Sequence, residues 1–390
     1  MSQNMSVGQP VTFALVGCGA IAPTQAKALL ALREDARLPY CCDEVPERAE
    51  KFAAEFGLKV ISWRDLLADP AIQAVTLCLP SGLHAKLGVE ALAAGKHVVV
   101  EKPMDVSVAA CDMLIAAAEK AGRQFAVISQ HRFDPASQLV HSTVARGELG
   151  KLIFADARIP WYRTQDYYDS GDWRGTWALD GGGCLMNQGV HTLDLMLWLA
   201  GPVESVFAQM RTAAHERIEV EDVVTATLTF KNGAIGTLMA STSTYPGFPA
   251  RIAITGTEGT AIIEGDELHT LAIKGRDTLT GGHATEHALQ VATGGTRSAV
   301  HHAKADEKLP PPPPPRAPST GASTGATPIP VEPADKAWKW GDAHRAQLLD
   351  FIRTIRAGGR PLVDGAAGRA AVQLINAVYQ SAREGRVVKL

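Results

Sequence analysis

The sequence predicts an α/β protein of two domains: a doubly wound parallel sheet, then an α+β domain built on an open, mostly antiparallel sheet. Three observations predict it. In the first third of the chain, short apolar runs alternate with amphipathic stretches, the pattern of strands and crossover helices around a parallel sheet. From about Leu152 the pattern changes to longer β-rich segments separated by hairpin signals. Finally, the first strand runs into a glycine-rich turn that opens directly into a helix. A chain of 390 residues exceeds what one core organises, so the division is placed at 1–130 and 131–390.

In the first domain, strands are expected at Val11–Val16, 38–42, 59–62, 74–79, His97–Val100 and 124–129. Helices are expected at 22–32, Pro46–Phe56, 63–67, 84–94 and 106–121. The second domain should hold strands at Leu152–Pro160, Val203–Arg211, Val223–Phe230, 234–244, 251–255 and 260–264. Lys231-Asn232-Gly233 and Gly256-Thr257-Glu258-Gly259 are the turns of two hairpins, and a helix over 185–199 interrupts the series. Between about 275 and 333 periodicity is lost in a Gly-, Thr-, Ala- and Pro-rich stretch. Its six consecutive prolines at 310–315 should be stiff polyproline II within a flexible surface insertion. Two amphipathic helices, 341–356 and 365–383, follow, broken by Gly358-Gly359-Arg360-Pro361.

Composition narrows the function. A net charge of -3 with interspersed signs gives no electrostatic footprint for nucleic acid or anionic membrane. No apolar stretch approaches the ~20 residues that span a bilayer, and the first ten residues lack the apolar run of a secretory signal. The six cysteines lie among apolar neighbours without a C-x-x-C pair and read as buried thiols of a reducing compartment, so a cytoplasmic location is expected. No metal site is expected: His283, His287 and His301-His302 fall in the aperiodic insertion and read as solvated.

The turn after the first strand reads Gly17-Cys18-Gly19-Ala20-Ile21-Ala22, a G-x-G-x-x-A pattern. Gly17 permits the tight turn, Gly19 leaves room for a pyrophosphate, and the backbone from Ala20 and Ile21 into the helix offers N–H groups and a positive dipole end. Asp43, 24 residues after Gly19 at the end of the second strand, suits the adenosine ribose hydroxyls. Its charge would repel a 2′-phosphate and Glu44 follows it, so NAD is favoured over NADP. Pro80, Ser81 and His84, with Glu101 and Lys102, lie at the carboxyl ends of two further strands, where such sheets bind ligands.

Gly17-x-Gly19-x-x-Ala22, Glu101-Lys102-Pro103, Gly181-Gly182-Gly183-x-Leu185-Met186-Asn187-x-Gly189-x-His191-x-x-Asp194 and the later Gly365-x-x-Gly368-Arg369-x-Ala371 resemble the Gfo/Idh/MocA family, named for glucose–fructose oxidoreductase and inositol dehydrogenase. The resemblance implies an N-terminal Rossmann domain and a C-terminal domain whose open sheet forms homodimer or homotetramer contacts. It places Lys102 near the nicotinamide and the substrate hydroxyl, and makes His191 the group that moves the proton while hydride passes. Many members pair an Asp with that histidine four residues on. Here the pair is Asn187 and His191, which one helical face would bring together. Asparagine exchanges no proton at neutral pH, so Lys102 and His191 are the acid/base candidates and Asn187 a substrate-positioning group. Asp194 either orients the histidine ring or has another partner.

Residues 161–177 concentrate aromatics and read as a substrate lid, with Trp161, Trp173, Arg163 and Asp180 as substrate contacts. The expectation is an NAD-dependent dehydrogenase acting on a secondary alcohol or ketone of a sugar, sugar derivative or cyclitol. The alternatives are a carbohydrate-cleaving enzyme that keeps its NAD and oxidises transiently, and a dinucleotide sensor without turnover.

Overall fold

The computed structural model describes residues 9–281 and 341–390. The proline run and the four insertion histidines lie outside the described residues. Six parallel strands form the first sheet in the order β3-β2-β1-β4-β5-β6: β1 (Val11–Val16), β2 (Ala36–Cys42), β3 (Lys59–Val60), β4 (Ala74–Leu77), β5 (His97–Val100) and β6 (Phe125–Val127). Strand β4 is buried at every position, as helices on both faces of a parallel sheet require. The helices are α1 (Ala22–Ala31), α2 (Pro46–Phe56), α3 (Trp63–Ala68), α4 (His84–Ala93) and α5 (Val108–Ala121). Ser62 and Ser107 cap α3 and α5 by accepting from Asp65 N and Ala110 N. Strand order reverses at β1, so the crevice for a ligand opens at the carboxyl ends of β1 and β4.

The second sheet has nine strands in the order β14-β13-β12-β11-β7-β10-β9-β8-β15. Its long strands are β7 (Leu152–Pro160), β8 (Val203–Arg211), β9 (Val223–Phe230), β10 (Ile235–Ser241), β11 (Arg251–Gly256), β12 (Gly259–Glu264) and β13 (Glu267–Ile273), with short β14 (Leu279–Thr280) and β15 (Val388–Lys389) at the edges. Only β7 and β10 pair in parallel; the other neighbours are antiparallel. In β9, Val224, Ala226, Leu228 and Phe230 point into the core while Thr225 and Thr227 face out, the period-2 pattern of a half-covered sheet. Helices α6 (Pro135–Ala145) and α8 (Val190–Ala200) pack beneath it, and the short α7 (Gln165–Asp169) lies in the aromatic segment. All six cysteines are buried free thiols, and among the described residues no helix is long and apolar enough to cross a membrane.

Three differences from the sequence reading have physical reasons. Helix α6 and strand β13 were not expected, although Asp134-Pro135 starts a helix and Leu268 with Leu271 supplies strand anchors. The helix expected over 185–199 starts as a π-turn, Cys184–Gly189, and becomes α-helical only from Val190. The chain also returns to the first sheet. Helix α9 (Asp342–Ala357) puts Leu348, Phe351 and Ile352 into the core that holds Phe13, Leu15 and Leu29, with the Phe13 and Phe351 rings 6.5 Å apart. Gln347 accepts from Ser129 N at 3.0 Å and donates to Val127 O at 2.7 Å. Helix α10 (Gly365–Glu384) then joins the two sheets, with Val372 in the core on the other face of the first sheet, beside Val75, Leu77 and Val127, and Ile375, Val378 and Tyr379 in the core of the second.

Because Phe351 is 1% exposed, Phe351→Ala should cost about 3–5 kcal/mol of stability. Urea unfolding followed by circular dichroism checks this; a loss below about 1 kcal/mol would mean that α9 is only loosely attached.

Candidate active site

The glycine turn closes against β4. Gly17 has φ +87°, and a Cβ there would lie 2.5 Å from the Cys78 carbonyl oxygen, so neither the conformation nor the space admits a side chain. A Cβ at Gly19 would meet nothing within 4 Å, which leaves the turn open to a ligand. The N–H groups of Gly19, Ala20 and Ile21 have no hydrogen-bond acceptor among the described residues, and no side chain caps α1. Unpaired donors at a helix start fit a pyrophosphate. Asp43 accepts from Cys18 N at 2.7 Å and Val45 N at 2.9 Å, which fixes its carboxylate at the mouth of this turn with acceptor capacity to spare for a ribose. Arg48, on the first turn of α2, approaches Asp43 Oδ1 at 3.4 Å.

The other expected cofactor residues divide. Pro80 is half-buried and Ser81 buried, and the next residue, Gly82, donates its N–H to Leu179 O at 2.9 Å, joining this loop to the second domain. Glu101 is buried and accepts from Gln25 Nε2 at 2.6 Å and Lys102 N at 3.2 Å, so it ties α1 to the end of β5. His84 departs from expectation: it is fully buried, with its ring nitrogens 2.9 Å from Pro103 O and 3.1 Å from Leu79 O. It braces two loops and presents no nitrogen to a ligand. Burial keeps its basicity below the usual histidine range, although both carbonyls oppose this.

The second domain contributes the facing wall through the π-turn. Glu221, 2% exposed, accepts from Gly183 N and Leu185 N at 2.9 Å each and from the Tyr379 hydroxyl at 3.0 Å. A Cβ on Gly183 would sit 1.7 Å from the Glu221 carbonyl oxygen, so the glycine is what lets this turn lie so close. The turn delivers Asn187 to Lys102. Lys102 Nζ donates to the Asn187 carbonyl at 2.9 Å and to its Oδ1 at 3.3 Å, while Asn187 Nδ2 donates to Asp180 Oδ1 at 2.7 Å. Asp180 Oδ2 accepts from Gly175 N at 2.9 Å. Asp180 therefore anchors Asn187 and is sealed at 1% exposure, where burial makes it a weaker acid than usual against the pull of its hydrogen bonds and of Lys102.

His191, four residues past Asn187 but across the junction from π-turn to α-helix, borders a gap of only about 10 Å³ with Lys102, Pro103, Asp194, Val363 and Ala371. Its Nδ1 is buried without a hydrogen-bond partner. Burial holds the ring well below the usual histidine range, and the Lys102 charge, His131 and His344 push the same way. Lys102 is likewise lowered, by burial above all, with Glu101 and Asp180 opposing and Arg174 and Arg163 reinforcing. Asp194 is not the partner of the His191 ring. It accepts from Arg132 Nε at 2.7 Å and Arg132 Nη2 at 2.6 Å, a buried bidentate pair, and also from the Ser129 hydroxyl. The His131 ring instead meets His191 edge to face at 5.2 Å. Burial opposes the charge on His131, yet Asp134, Asp266 and Asp194 outweigh it and raise its basicity.

Along the aromatic segment, Trp161 packs partly against the second core and carries the Arg163 guanidinium at 5.3 Å from its ring centre. Arg174 lies 4.5 Å from the Trp173 ring centre and 4.3 Å from that of Tyr167. The sequence reading did not single out Tyr167, Arg174, Gln188 or Glu221. For Glu221 no signal existed, since one carboxylate before a strand looks like any other. A shallow trough of about 670 Å³ lies elsewhere, on the open face of the second sheet, lined by Asp156, Phe207, Thr225 and Met239. Its charged lining residues, Asp156 and Arg158, pair with one another at 2.8 Å.

Residues 11–129 match an oxidoreductase family with an NAD-binding Rossmann fold, and residues 137–262 match the GFO/IDH/MocA C-terminal domain. The oxidoreductase YrbE of Bacillus subtilis is 31% identical over 221 residues, 55% of this chain and 62% of that protein, so the match spans less than two thirds of it. The scyllo-inositol 2-dehydrogenase (NAD(+)) of the same organism is 30% identical over 265 residues, 65% of this chain and 73% of the enzyme. The solved structure of the WlbA dehydrogenase from Bordetella pertussis, in complex with NADH and UDP-GlcNAcA, is similar with a TM-score of 0.79 at 29% identity, covering 98% of each chain.

Removing the Glu221 carboxylate strands two backbone N–H groups and a phenol in the interior. Glu221→Ala should therefore cost ~3 kcal/mol or more and reduce turnover by releasing the turn that carries Asn187. Chemical denaturation and steady-state kinetics on the same preparation check both effects.

Proposed function

Since this chain belongs to the Gfo/Idh/MocA family of NAD-binding oxidoreductases, we propose that it transfers a hydride between nicotinamide and a secondary alcohol or ketone of a sugar, sugar derivative or cyclitol. The observation that carries this reading is the placement of Lys102. Asn187 holds two of its ammonium donors at the end of β5, which leaves the third for a substrate oxygen. NAD, when bound, supplies the hydride acceptor at its nicotinamide. The protein residues do the rest. Gly19 to Ile21 and Asp43 hold the dinucleotide at the strand ends, and Asn187 fixes Lys102 so that its charge polarises the hydroxyl to be oxidised.

His191 takes the hydroxyl proton. Its depressed basicity keeps the ring neutral near pH 7, free to accept a proton as the hydride leaves. The adjacent Lys102 cation makes a second positive charge costly, so the proton must pass on once the ketone has formed. Trp161, Arg163 and Trp173 face the substrate from the second domain. The open face of the second sheet, where Phe207 and Ile235 are exposed, is the surface available for homodimer or homotetramer assembly.

Purified protein mixed with NAD and a panel of polyols, aldoses, inositols and sugar nucleotides should produce NADH with at least one class. Product without net NADH would support transient oxidation, and NAD binding without any product would leave only a sensor. Lys102→Ala should lower kcat by ~10²–10⁴-fold. In kcat/KM for oxidation, the acid limb should lie below pH ~6.5, because the depressed His191 remains a competent base there. The limb should vanish in His191→Ala; an acid limb at or above the ordinary histidine value would remove His191 from this role.

A further inference from the structure

We propose that Arg163, Arg174 and the Tyr167 hydroxyl form an anion subsite beside Lys102, so that the preferred substrate carries a carboxylate or phosphate group. The inference rests on the reading above only in placing the substrate at Lys102. It narrows a polyhydroxylated class to its acidic members.

The first observation is a pair of guanidiniums without acids. Several arginines have carboxylates in contact, among them Arg132 with Asp194 at 2.6 Å, Arg146 with Glu148 at 2.6 Å and Arg369 with Asp112 at 2.5 Å. Arg163 and Arg174 have none within 4.0 Å among the described residues. The nearby carboxylate, Asp180, spends its oxygens on Asn187 Nδ2 and Gly175 N. Lys102, Arg163 and Arg174 act on one another electrostatically, and burial weakens the acidity of Asp180. The site therefore carries more positive than negative charge before any substrate arrives.

The second observation is rigidity. Both guanidiniums lie over the Tyr167 ring, Arg163 at 5.4 Å and Arg174 at 4.3 Å from its centre, and each also lies over a tryptophan. The Arg163 backbone is held on both sides: its N–H donates to Thr242 O at 2.8 Å, and its carbonyl meets the His215 ring at 2.8 Å. Arg174 Nη1 donates to the Tyr167 oxygen at 2.8 Å, and Gln188, the neighbour of Asn187, donates to the same oxygen at 2.9 Å. That oxygen accepts twice, so the phenol proton is left to donate outward. Burial raises the pKa of Tyr167 and keeps that proton in place. Arg163 Nη1 donates to Tyr162 O at 3.0 Å and Arg174 Nε to the Ser170 hydroxyl at 3.2 Å, which leaves Arg163 Nε and Nη2, Arg174 Nη2 and the Tyr167 hydroxyl as donors on groups already held in place, so they suit an oxyanion and lose little freedom when one binds.

The test uses the full chain loaded with NADH at low ionic strength and matched ligand pairs: glucuronate with glucose, galacturonate with galactose, and glucose 1-phosphate with methyl glucoside. Calorimetric affinities should favour the anion at least tenfold in one pair, and which pair responds separates carboxylate from phosphate. Arg163→Gln and Arg174→Gln should each reduce that preference severalfold while NADH affinity, which serves as the folding control, is retained. The proposal is overturned if no anion outbinds its neutral partner, or if the preference survives both substitutions. Hydride transfer is scored separately: anion preference without NADH turnover would sink the dehydrogenase reading and leave the subsite standing.

Discussion

A carboxylate sealed from water must find donors or forfeit its charge, and Glu221 finds three: two backbone N–H groups of the glycine turn and the Tyr379 phenol. Burial still leaves it a weaker acid than usual, against the pull of its hydrogen bonds. The arrangement clamps the start of the π-turn to the strand preceding segment on one side and to the last long helix on the other. Everything the turn carries inherits that placement. Asn187 reaches Lys102, Gln188 reaches Tyr167, and His191 follows at the first turn of α8. The placement of Asn187 against Lys102 therefore depends on Glu221, a residue that contacts neither.

Asparagine at 187 changes the local electrostatics in a definite direction. A carboxylate there would pair with Lys102 and strengthen the basicity of both Lys102 and His191. With a neutral amide, the negative charge is moved back to Asp180, behind Asn187, and burial weakens it further. Lys102 and His191 are both left less basic than their ordinary values, chiefly by burial, and the Lys102 charge adds to the lowering of His191. The asparagine serves as an insulating link: it keeps the geometry of a lysine-to-acid contact and omits most of its charge.

Much of this was legible in the sequence. The boundaries of β1, β5, β7, β8, β9 and α2 follow from apolar runs and period-2 alternation bounded by turn residues, which are local signals. The tight glycine turn after β1 was legible because its backbone conformation and close approach demand a specific residue type at a fixed offset. The π-turn was not, since apolar spacing over six residues cannot separate one helical pitch from another. Glu221 and Arg174 were equally silent. One owes its role to three donors from distant segments, and the other to the absence of an acid nearby, which only coordinates reveal. Asp194 left two readings open, and Arg132, 62 residues away, decided between them.

The return of α9 to the first core has a consequence for how the protein is made. Leu348, Phe351 and Ile352 complete a core that otherwise belongs to strands and helices from the first third of the chain. A nascent chain that has emerged only as far as β6 holds the whole parallel sheet in sequence, yet lacks the helix that covers one patch of it. At typical elongation rates of ~5–20 residues per second, that patch waits roughly ten seconds or more for its cover. The dinucleotide domain is thus first in sequence but cannot be first to finish, and its final packing is coupled to arrival of the chain that also closes the catalytic wall.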